Sequence, residues 1–132
     1  MKETKWRNRM KLGKVIETVN KIKGQQYDTE IITDWINEVE GQIIEEIINR
    51  ADGVSVDVKP YDYKNDMGTE LVLADNFKDV YLNYVYAKMD FINQDTERYN
   101  NDVAMFNAAY DSCAAWYRRT HIPKQKNSFR GI

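Results

Sequence analysis

Apolar residues recur at helical spacing in four stretches of the chain. Val15, Ile16, Val19 and Ile22 fall on one face, and Gly24 stands where such a run ends, which predicts a first helix over 12–23. Asp28 or Thr29 suits the cap of a second helix, in which Ile32, Trp35, Ile36, Val39, Ile43 and Ile47 form a continuous stripe. Ile31, Ile44 and Ile48 widen that stripe enough to predict contacts on two sides, and Asp52-Gly53 stops it. A third helix opens at Asp75 or Asn76, with one seam of Phe77, Val80, Tyr84, Ala87 and Phe91 and an adjacent one of Tyr81, Val85 and Ile92. The fourth opens near Asp95 or Thr96 and is ended by Pro123. Its seam of Tyr99, Val103, Phe106, Tyr110, Cys113 and Tyr117 is spaced four, three, four, three, four, the rhythm of a helix packed along one stripe. The short link between the third and fourth helices predicts an antiparallel hairpin.

The remaining segments have other patterns. Val54, Val56 and Val58 alternate with Ser55 and Asp57, the period of a strand, and Pro60 ends that run. Residues 61–68 read as a loop, and Leu71-Val-Leu73 is a second short apolar run. The two runs predict an extended arm or short β-hairpin over 54–73. Residues 1–11 lack periodicity and read as a flexible basic arm, and residues 121–132 as an extended, flexible basic tail. The expected fold is all-α: a small bundle of three to four helices, the last two long and antiparallel, in one domain over 12–120.

Charge adds polarity to this picture. The net charge is only -2, yet Lys2, Lys5, Arg7, Arg9, Lys11 and Lys14 face a single acid, Glu3, in the first fourteen residues. Arg118, Arg119, Lys124, Lys126 and Arg130 crowd the other end, while residues 28–52 hold eight acids against Arg50 alone. That distribution serves solubility, and it also lets one copy attract another, acidic face to basic end. The single cysteine excludes an internal disulfide and fits a reducing compartment. No run of about 18 apolar residues predicts a membrane span, and no apolar stretch after the basic start predicts a secretion signal.

Candidate chemistry is sparse. The chain holds no GxxxxGKS/T loop, no GxGxxG after a strand, no HExxH and no GxSxG, and its glycines are scattered singly. Cys113 and His121 stand eight residues apart, about 12 Å along a helix, too far for a thiolate–imidazole pair. Cys113 reads as a core residue and Glu38, Glu45 and Glu46 as a solvated face. Trp35 and Trp116 read as core, and Trp6 as an aromatic in the basic arm that suits either a base or a protein pocket. The expectation is a protein without catalytic activity, cofactor or metal. Its tyrosine seam carries hydroxyls that need partners when buried, which suits a wet interface as well as a dry core.

Several blocks together resemble one family of small proteins encoded among the head and tail genes of phages and prophages of Gram-positive bacteria. They are Lys11-Leu-Gly-Lys-Val-Ile-Glu-Thr-Val-Asn20, Gln26-Tyr-Asp28, Trp35 to Ile48, Thr69-Glu-Leu-Val-Leu73 and Tyr81-Leu-Asn-Tyr84. Arg98-Tyr-Asn-Asn101, Met105-Phe-Asn-Ala-Ala-Tyr110 and Arg119-Thr-His-Ile-Pro123 complete the set and are its most specific part, because no packing rule requires their polar residues. The likeness runs from about residue 11 to 124, and the basic arm at 1–9 lies outside it. In helical pattern the family is similar to head–tail connector (adaptor) proteins. That implies a structural virion protein at the head–tail junction, present in the host cytoplasm during assembly. It would form a dodecameric ring with itself beneath the portal protein and contact a tail, stopper or tail-completion protein. Contact with packaged DNA would be incidental, and no membrane is involved. Candidate subunit, portal or tail contacts are Tyr99, Tyr110, Tyr117, Arg118, Arg119, Lys124, Lys126, Phe129 and Arg130. The alternative expectation is a DNA-binding or regulatory helical module acting through its basic ends.

Overall fold

A computed structural model describes residues 8–51, 53 and 55–121. Its elements run β1 (Arg9–Lys11), α1 (Leu12–Lys23), α2 (Thr29–Glu46), β2 (Glu70–Ala74), α3 (Lys78–Ile92) and α4 (Thr96–Thr120). Short 3-10 turns at Ile48–Arg50 and Asp75–Phe77 follow α2 and lead into α3. The fold is a small helical bundle, as the periodicity predicts, with α3 and α4 forming the expected hairpin. Asp95 caps α4 by accepting from the Arg98 backbone N–H at 3.2 Å.

The core collects around α2. Ile32, Ile36, Val39 and Ile43 are fully buried, as are Val15 and Val19 of α1 and Val80, Tyr81, Val85 and Met89 of α3. Ile44 and Ile48 are buried too, but Ile31 stands 39% exposed, so the stripe is narrower at its start than its sequence implies. Ile22 likewise faces solvent, although its neighbour Lys23, in the same last turn of α1, packs against Asp90. The 3-10 turn tightens the end of α2 and lets Ile47 and Ile48 both point inward.

Three expectations are corrected. Leu71-Val-Leu73 is in a strand, but its partner is not 54–58: β2 pairs antiparallel with β1, Arg9 opposite Ala74 and Lys11 opposite Glu70. Two steps on β1 span four on β2, so β2 carries a bulge. Residues 55–58 have no regular structure, and Val56 and Val58 are exposed with nothing to alternate against; Val54 lies outside the described residues. The end of the supposed basic arm is therefore a structural element, with Met10 pointing into the core between two outward cations. Residues 1–7 of that arm, with Trp6, and residues 122–132 of the tail lie outside the described residues.

The strand pair also starts α1. No side chain caps that helix; instead the N–H groups of Leu12 and Gly13 donate to the carbonyls of Thr69 at 3.0 Å and Met67 at 2.8 Å. A Cβ at position 13 would sit 3.0 Å from the Met67 carbonyl oxygen, which explains the glycine there.

Candidate functional site

The surface with most chemical character is built on α3 and α4. Heptad spacing puts Phe77, Tyr84 and Phe91 in one row, and the antiparallel hairpin sets them against Trp116, Phe106 and Tyr99. The ring centroids are 5.3, 5.5 and 5.4 Å apart, within the range of favourable tilted aromatic pairs. The tyrosine seam of α4 is thus largely the inner face of the hairpin. An apolar groove of about 310 Å³ stays open along it between Tyr84, Ala87 and Phe91 on one side and Tyr99, Val103 and Phe106 on the other. Phe91 is 65% exposed at its end.

The candidate interface residues divide by environment. Tyr99 is half-buried against Phe91. Tyr110 is half-buried and donates its hydroxyl to Glu46 at 2.6 Å, and Tyr84 donates to Glu38 at 2.8 Å. Burial, followed by those carboxylates, raises both phenols above their ordinary pKa. Two of the acids read as a solvated face therefore accept tyrosine hydroxyls across a helix interface, and Glu38 also pairs with Lys88 at 3.1 Å. Tyr117 stacks on His121 at 3.8 Å, and Arg118 and Arg119 are exposed. The structure gathers Tyr117, Arg118 and His121 with Arg50 and Glu46 around a cleft of about 190 Å³, where α2 and α4 both end. Cations there complement the carbonyl ends of two helices. Lys124, Lys126, Phe129 and Arg130 lie outside the described residues.

Two buried ionic clusters are absent from the sequence reading. Glu40 is 4% exposed and accepts from the hydroxyls of Tyr61 and Tyr81, both at 2.6 Å, and from the Val72 N–H at 2.7 Å. Burial lifts its carboxyl above the ordinary range although these donors and Arg9 pull the other way. The signal for it was spacing: Glu40 stands four residues from Ile36 and from Ile44, on the edge of the buried stripe. The second cluster joins Lys23, Asp90 and Asp102 across α1, α3 and α4. Asp102 lies three residues after Tyr99 and four before Phe106, inside the aromatic seam, and that too was visible.

Among the described residues no group of three His, Cys, Asp or Glu side chains could hold a metal ion. Burial pushes the Cys113 thiol up to about 11, away from a reactive thiolate. No helix of the described residues is long and apolar enough to cross a membrane. The arrangement offers aromatic, acidic and basic contact surfaces on a small helical body. Comparisons with protein-family models, with curated proteins and with solved structures find no match to the chain.

Proposed function

We propose that this protein is a structural, non-catalytic component of a tailed-phage particle: a connector subunit that assembles with its own copies beneath the portal and joins head to tail. The observation that carries the proposal is where α4 places the most specific resembling blocks. Asn100, Asn101, Met105 and Asn107 are exposed, so the hairpin's own packing does not require them. A long helix that buries one stripe and presents an unpaired outer face is suited to contact another protein.

Charge supports the same reading. All of the ionisable side chains of α2 are acidic, six of them in eighteen residues, including two in its last turn, where the helix dipole disfavours them. Arg118 and Arg119 project from the end of α4. Glu46 and Arg118 meet at one cleft and Glu40 is buried, but Glu30, Asp34 and Glu45 stay exposed. Exposed acids and exposed cations on one subunit favour heterologous contacts, in which one patch meets a different patch on the next copy. Deleting the gene from its phage tests the proposal. The expected result is DNA-filled or aborted heads and free tails that do not join. Normal tailed particles from the deletion strain would overturn it.

A further inference from the structure

Asp102 is the one ionisable acid that α4 buries, 8% exposed, and it lies against Asp90 of α3, 3% exposed. The ammonium of Lys23, at the end of α1, donates to both oxygens of Asp90 at 3.0 and 2.9 Å. Two carboxyls and one ammonium leave one negative charge in excess at a site whose carboxyls have little contact with water. Asp102 Oδ2 has no hydrogen-bond partner, and the other buried side-chain atoms in that condition among the described residues are Asn20 Oδ1 and the Tyr86 hydroxyl. Those two stand one turn before Lys23 and Asp90 on helices whose ends meet, and the Lys23 ammonium is 5.6 Å from the centre of the Tyr86 ring. Nearby charges come from the α3–α4 turn and the first turn of α4, where Asp95 pairs with Arg98 at 3.4 Å.

Two carboxylates cannot hydrogen-bond to each other, whereas a carboxylic acid and a carboxylate can. We propose that Asp90 and Asp102 hold one proton between them, and that this shared proton latches the start of α4 onto α1 and α3, so that its release to solvent loosens the α3–α4 turn. The two sites are pushed apart in the way such sharing demands. Burial first, and then the Asp90 carboxyl, push Asp102 up to about 7. Burial also acts to raise Asp90, but hydrogen bonds from Asp102 and Lys23 outweigh it and hold Asp90 below its ordinary value. The pair therefore keeps one proton near neutrality. This latch is independent of the virion reading.

The test is a carbon-13 titration of the side-chain carboxyls in the full chain, paired with amide hydrogen exchange across residues 93–105. The expected result is one buried carboxyl titrating near pH 7 that disappears in Asp102→Asn. Exchange in that segment, corrected for intrinsic rates, rises severalfold between pH 6 and 8 in the parent and stays flat in the variant, whose amide can still donate to Asp90. Should Asp102→Asn fail to fold, Lys23→Gln serves instead, since loss of the cation moves the transition to higher pH. Both carboxyls titrating below pH 5, a transition unmoved in Lys23→Gln, or titration near 7 with no change in exchange would each overturn the latch.

Discussion

The hydroxyl of Tyr81 donates to Glu40 at 2.6 Å across 41 residues of sequence, and neither side chain is more than 4% exposed. Tyr81 also accepts the Leu73 N–H at 3.2 Å, and Glu40 accepts the Val72 N–H and the Tyr61 hydroxyl. One carboxylate on α2 therefore organises β2, the loop before it and α3. Glu40→Ala strands two hydroxyls and a backbone N–H, and we expect a loss of about 2–4 kcal/mol in urea unfolding. Tyr81→Phe, which strands the Leu73 N–H and one carboxylate oxygen, should cost about 1–3 kcal/mol. Losses below 0.5 kcal/mol in both would show that the network is solvated.

The same carboxylate sets a pH dependence. Burial raises the pKa of Glu40 in the folded chain. As pH rises above about 4.3 the unfolded chain gives up this proton while the folded chain still holds it. The contribution of the group is thus fully present below that pH and is lost as pH climbs through the folded value. Urea midpoints measured from pH 4 to 8 should fall more steeply for the parent than for Glu40→Gln.

Met10 separates the observed fold from one with a mobile arm. It is 5% exposed and the sole apolar residue of β1. Met10→Ala should cost about 2–4 kcal/mol, whereas Ile22→Ser, on an exposed position of α1, should change stability by about 0.5 kcal/mol or less. Equal effects at the two sites would contradict the strand pairing.

Cys113 provides a probe of opening. It is fully buried, with its thiol pushed up to about 11. Thiol reagents at pH 8 should modify the folded protein only at the rate of unfolding, and immediately in denaturant. Fast modification of the folded chain would place Cys113 outside the core.

Legibility in the sequence followed the length and regularity of each element. The bounds of α1, the stripe of α2 and the Asp95 start of α4 were readable because many residues repeat one period. β1 was not, since three residues with a single apolar side chain carry no period, and its partner lies some sixty residues away. Val56 and Val58 have the right period for a strand, but no facing strand exists for them in the described residues. The seam of Phe77, Tyr84 and Phe91 was legible as a row, while its pairing with Trp116, Phe106 and Tyr99 depends on the hairpin register. Glu40, Asp90 and Asp102 interrupt apolar seams, but their burial was not legible because burial of an acid is decided by partners that converge only in the fold.

The most direct test of the connector proposal is quantitative mass spectrometry of purified particles from a host carrying this gene. The proposal predicts the protein in the particle at the same copy number as the portal subunit. Its absence from particles that contain portal and tail proteins would contradict the proposal.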